Sequence, residues 1–73
     1  MNEVERKKAL TLIYRHTSRD YKGHLNGEKS ILVLRTGGTT LVPLTALTDE
    51  EIARDLPYAQ KCEAKRLAKK VGA

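Results

Sequence analysis

The strongest constraint in this 73-residue sequence is an aliphatic run, Ile31–Leu34, with a glycine-containing turn signal on either side. Asn26-Gly27 precedes the run, and both residues readily adopt the positive φ angles that a tight hairpin turn requires. Gly37-Gly38 follows it and marks a second turn. The pattern predicts two successive antiparallel hairpins that share a central strand at residues 28–36.

A first strand is predicted at residues 9–17, because Leu10, Leu12 and Tyr14 share one face of an extended chain. The preceding residues 2–8 are compatible with a short helix. A tight turn at the Asn-Gly pair would place polar residues opposite the central strand. A longer loop lets the apolar first strand pair there and buries more apolar surface. We therefore expect the longer loop or a bulged hairpin, with residues 14–27 as a protruding polar hairpin tip.

The third strand is predicted at residues 39–47, and Pro43 marks it as an edge strand because proline donates no ladder hydrogen bond. If Gly37-Gly38 is a two-residue turn, Leu34 faces Leu41, and apolar residues meet along the whole pair.

A helix start is the clearest local signal, because Thr48 and Glu51 have the spacing of a capping box. Pro57 should break or kink this helix, which gives helical segments at about 49–56 and 58–70. The predicted fold is therefore α+β: a three-stranded antiparallel meander followed by a C-terminal helix, in one small domain over residues 1–73.

Composition excludes several classes of function. The lone Cys62 cannot form an intramolecular disulfide and suits a reducing compartment, so we expect a cytoplasmic protein. No apolar run approaches the ~20 residues of a membrane span. His16 and His24 lack the spacing of a zinc site, and nothing suggests a catalytic constellation or a cofactor. The expectation is a non-enzymatic binding module without a metal.

Charge is segregated along the chain. The net charge is +5, and residues 59–73 hold five Lys/Arg against one acid, whereas residues 48–58 hold one against four. A basic, aromatic-bearing hairpin and a basic helix face together predict nucleic-acid binding, DNA or RNA, through phosphate contacts and stacking. The predicted contact residues are Tyr14, Arg15, Arg19, Tyr21, Lys22, Lys29, Lys61, Lys65, Arg66, Lys69 and Lys70.

A protein-interaction module is the alternative. The central strand is apolar on both faces, whereas a single helix covers only one of them. Its second face needs cover from the N-terminal segment, a second copy of the chain or a protein partner.

The stretch "NGEKSILVLRTGGTTLVPLTALTDEEIARDL", residues 26–56, resembles small uncharacterised proteins of phages and prophage regions. That resemblance implies, for the alternative, a phage-encoded modulator of a host protein. The order of elements also resembles the N-terminal DNA-binding domains of phage-type integrases, which place a sheet face in the major groove. This chain has "ILVL" where those domains carry Arg and aromatic residues. Contacts from the hairpin tip and the helix are therefore expected instead.

Overall fold

The computed structural model describes residues 2–72, with side chains for residues 2–70, so both ends of the predicted domain 1–73 lie outside it. The three-stranded antiparallel sheet followed by a C-terminal helix is confirmed, with strand order β1-β2-β3. The elements in chain order are α1 (Glu3–His16), a 3-10 turn (Arg19–Tyr21), β1 (Lys22–Leu25), β2 (Glu28–Arg35), β3 (Gly38–Pro43), a second 3-10 turn (Leu44–Ala46) and α2 (Asp49–Gly72).

The strand predicted at residues 9–17 is wrong, because residues 9–16 lie in α1 and Thr17 caps its end. The Asn2 side chain caps the helix by accepting a hydrogen bond from the Glu5 amide at 2.8 Å. Ala9, Leu10 and Ile13 are buried on one side of it. Spacings of one and four residues fit a helical stripe, and the alternation of apolar residues in the sequence concealed that pattern.

The longer loop of the first hairpin is also wrong. Asn26 and Gly27 form a two-residue turn with φ angles of 54° and 80°, and Leu25 pairs with Glu28 across it. Because α1 buries its apolar residues as a helix, the polar segment after it is left to pair with β2. The residues 14–27 that were expected at the hairpin tip are thus divided between α1, the first 3-10 turn, β1 and the turn after it.

The second hairpin turns one residue earlier than predicted, at Thr36-Gly37, because Arg35 pairs with Gly38. Leu41 consequently faces Leu32 instead of Leu34. A shift of two residues keeps every side chain on its predicted face, since side chains alternate with period two.

The predicted capping box is present at the start of α2. The Glu51 amide donates to Thr48 Oγ1 at 3.1 Å, and the Thr48 amide donates to the Glu51 carboxylate at 3.0 Å. The predicted break at Pro57 is not observed, because α2 continues through the proline as one helix. Ile52 and Ala59 are buried on either side of the proline, and this packing holds the two halves in one helix.

Both helices cover the same face of the sheet. Ile31, Val33 and Val42 on that face form one core with the buried residues of α1 and with Ile52 and Ala59 of α2. The helices run in parallel, since Arg6 pairs with Asp49 near their starts and Arg15 with Glu63 further along. The N-terminal segment therefore does not shelter the second face of β2.

A charge pair joins β2 to α2 and predicts acid sensitivity. Arg35 donates two hydrogen bonds to the Glu51 carboxylate, at 2.7 and 3.0 Å. These hydrogen bonds, together with the one from the Thr48 amide, lower the pKa of Glu51 from 4.5 to about 2. A carboxyl whose pKa is lowered on folding stabilises the protein above its unfolded value, and that contribution is lost as the pH falls towards the folded value.

We therefore expect the free energy of unfolding to fall as the pH is lowered from 4.5 to about 2, and to fall less steeply in Glu51→Gln. Urea denaturation at a series of pH values measures both slopes. Glu50→Gln removes a neighbouring exposed carboxylate and should keep the wild-type slope. Equal slopes in all three proteins would contradict the role of this pair.

Candidate nucleic-acid interface

Three of the predicted site residues meet although they come from three elements. The ammonium of Lys22 in β1 lies 4.9 Å from the centroid of the Tyr14 ring in α1, and that of Lys29 in β2 lies 5.4 Å from it. We call these three residues the Tyr14 cluster. Lys22 pairs with Ile31, and Lys29 precedes Ile31 by two residues on β2. The two lysines therefore lie side by side on the same sheet face. At such distances the ring attracts each cation.

The Tyr14 cluster holds two like charges together. Among the described residues, no carboxylate forms an ion pair with Lys22 or Lys29. Two ammoniums on one ring repel each other, and an anion bound between them would relieve that repulsion. The Tyr14 ring is half-buried and lies close to both cations, so it supports the lysines.

Two predicted phosphate contacts have an internal partner instead. The Glu63 carboxylate accepts hydrogen bonds from Arg15 at 2.6 Å and from Arg66 at 2.9 Å, and it lies 2.9 Å from the His16 ring. The bonds from Arg66 and His16 lower the pKa of Glu63 to about 2, so it stays ionised at neutral pH. The Glu63 cluster thus joins α1 to α2, a function that sequence spacing alone does not reveal.

Apart from Arg19 in the first 3-10 turn, the remaining predicted cations lie on exposed parts of α2. Residues 64–70 are all exposed, beyond the point where Arg15 and His16 at the end of α1 contact Glu63. This exposed end carries Lys65, Lys69 and Lys70, and Lys61 lies one turn before it. Helical spacing of four residues places 61, 65 and 69 along one stripe.

A groove lies between the end of α1, the first 3-10 turn, β2 and α2. Its volume is about 350 Å³, and six of its lining residues are His16, Thr17, Tyr21, Leu34, Asp55 and Tyr58. Tyr21 and Tyr58 are 58% and 67% exposed, although both line this groove. Tyr21 is a predicted contact. Tyr58 was missed, although it falls on the stripe of Arg54, Lys61 and Lys65 at three- and four-residue spacing.

Part of the β2 edge borders this groove. Pairing with β1 ends at Lys22 opposite Ile31, whereas β2 continues to Arg35. Arg35 pairs with Gly38 beside the turn, and backbone groups alternate sides along a strand. The amide and carbonyl of Leu34 therefore point away from β3, towards the side where no strand of the described chain lies.

In the described residues, no group of three or more His, Cys, Asp or Glu side chains has the arrangement to hold a metal ion. The same part of the chain contains no helix long and apolar enough to cross a membrane. Comparisons of the sequence and fold with protein-family models, curated proteins and solved structures found no match.

Proposed function

We propose that this protein is a small nucleic-acid-binding module that holds backbone phosphates at the Tyr14 cluster and along the exposed lysines of α2. One observation carries the proposal: Lys22 and Lys29 converge on one ring without a carboxylate partner among the described residues. A phosphate bound there would take two charge-assisted hydrogen bonds and remove the repulsion between the ammoniums.

The lysines of α2 extend this interaction electrostatically. Lys65, Lys69 and Lys70 lie on its exposed end, and the whole chain has a net charge of +5. Each phosphate that a lysine neutralises releases condensed counterions, so binding should weaken steeply with salt. Arg19 is exposed in the first 3-10 turn and remains a proposed contact, whereas Arg15 and Arg66 act mainly through Glu63.

The test is the paired substitution Lys22→Gln with Lys29→Gln. We expect affinity for labelled DNA or RNA to fall at least tenfold. The negative slope of log affinity against log salt should become shallower by roughly 1.5–2, because two phosphate contacts are lost. Fluorescence anisotropy at about 50 and about 200 mM salt measures both.

Two control variants separate the cluster from net charge. Lys7→Gln with Lys8→Gln removes the same charge from exposed positions of α1 and should cost clearly less affinity. Lys22→Arg with Lys29→Arg keeps the charge and should keep binding. An equal loss in both glutamine pairs would mean that net charge alone is responsible, and the proposal would be overturned.

A protein partner, or a second copy of the chain in a homodimer, is the second candidate. Leu34 is 71% exposed on the sheet face away from the helices, and Leu25 on the same face is 38% exposed. Exposed apolar side chains on one face favour a protein interface, as a modulator of a host protein would require. The same titration separates the two candidates: absence of binding to any nucleic acid at low salt would favour the protein partner.

A further inference from the structure

We propose that the groove between Tyr21 and Tyr58 takes up an unstacked nucleobase, so that the protein prefers single-stranded to double-stranded nucleic acid. The inference rests on the proposed function and adds to it the class of nucleic acid and the place where a base is held.

Two exposed tyrosines on one groove are the first argument. Tyr21 comes from the 3-10 turn after α1, Tyr58 comes from the middle of α2, and both line the groove of about 350 Å³. More than half of each tyrosine side chain is exposed, and aromatic side chains at a groove are the platforms on which single-stranded bases stack. A volume of this size accommodates one base together with its ordered water.

Hydrogen-bonding groups inside the groove are the second argument. The Leu34 amide and carbonyl point away from β3 at this edge of β2, and Thr17 and Asp55 also line the groove. Every nucleobase presents neighbouring donors and acceptors along its Watson–Crick edge, and proteins read these edges on bases that are splayed out of a helix. A strand edge that offers one donor beside one acceptor matches such a base edge.

Charge complementarity is the third argument, and it selects nucleic acid over an apolar peptide as the occupant. Lys61 and Lys65 follow Tyr58 along the exposed side of α2, and Arg54 lines the groove, where its Nε lies 3.7 Å from the Asp55 carboxylate. Spacings of three and four residues align these cations with the Tyr58 ring. A nucleotide whose base lies in the groove would therefore place its backbone phosphates along this line of positive charge.

A duplex cannot use the groove in this way. Both faces of each base inside a duplex are covered by stacked neighbours, so the base must leave the helix at a cost before it reaches a tyrosine. In a single strand the base is already available. Duplex binding should therefore depend on the lysines alone.

The experiment compares single-stranded DNA, single-stranded RNA and duplex DNA of equal length, with wild type, Tyr58→Leu and Tyr58→Phe. Tyr58→Leu keeps an apolar side chain but removes the ring. We expect it to weaken single-strand binding about tenfold, a typical contribution of one stacked base, and to leave duplex binding unchanged. Tyr58→Phe keeps the ring and should bind like wild type, and circular dichroism verifies that both variants fold.

The outcomes for this inference and for the proposed function are distinguishable. Salt-dependent binding with no preference for single strands, or with equal affinities for Tyr58→Leu and wild type, would overturn the groove while leaving the lysine contacts intact. Absence of salt-dependent binding to all three probes would overturn both. A single-strand preference that Tyr58→Leu abolishes and Tyr58→Phe retains supports the inference.

Discussion

Ile52→Ala should lower the free energy of unfolding by about 2–5 kcal/mol, the usual range when a large aliphatic side chain is removed from a core. Ile52 has no exposed surface and belongs to the one core that both helices share with the sheet. A chain of this length has a total stability of roughly 4–11 kcal/mol. The substitution therefore removes a large part of what holds α2 against the sheet. Urea denaturation followed by circular dichroism measures the loss.

Leu67→Ala is the matched control for this prediction, because it truncates an aliphatic side chain of the same helix. Leu67 is 47% exposed on the end of α2, so its loss should change stability by no more than about 0.5 kcal/mol. A similar cost for the two substitutions would contradict the packing of α2 described above.

The success of sequence reasoning depended on how local each signal was. The capping box at Thr48 and Glu51 involves residues three apart, and it fixed the start of α2 correctly. The start of α1 has a comparable signal, since Asn2 and Glu5 have the same spacing. The alternation of side chains at residues 9–17 nevertheless led to the prediction of a strand. The same residues also fit a helix with one buried side, so the pattern does not distinguish the two structures.

The candidate site was predicted by residue type more than by geometry. Lysines and tyrosines are side-chain types suited to phosphates and bases, but their partners depend on the fold. Arg15 lies 48 residues from Glu63 in the sequence, and nothing in its local pattern indicates an ion pair. Tyr58 follows a proline that was expected to end the helix, so its alignment with Arg54 and Lys61 was overlooked.

Turn chemistry was half predictable for a similar reason. Asn26-Gly27 indicates one kind of tight turn, and the structure has it with both φ angles positive, although the apolar pattern of residues 9–17 led to the prediction of a longer loop. Gly37-Gly38 leaves two choices, because a two-residue turn can lie at Gly37-Gly38 or one residue earlier, at Thr36-Gly37. The turn at Thr36-Gly37 places Gly38 as the first residue of β3, opposite Arg35, which keeps the Arg35 position opposite a residue with no side chain.

Gly38→Ala should therefore destabilise the protein by roughly 1–3 kcal/mol, the cost of holding a residue with a side chain in a sparsely populated backbone conformation. The φ angle of Gly38 is 122°, and an added Cβ would meet no heavy atom within 4 Å. The cost is consequently one of backbone conformation and not of a clash. Urea denaturation measures it, and the register of the hairpin predicts that β2 and β3 lose pairing beside the turn first.

Two comparisons isolate this backbone effect. Asn26→Gly, at a φ of 54°, replaces a residue that tolerates the left-handed region with one that tolerates it better, so stability should change by only a few tenths of a kcal/mol. A D-alanine at position 38, introduced by chemical synthesis, adds the same methyl group but favours positive φ. It should restore most of the stability that L-alanine removes, because the mirror-image residue suits this region. Equal destabilisation by the two alanine enantiomers would show that the methyl group itself disturbs the turn, and would refute the conformational explanation.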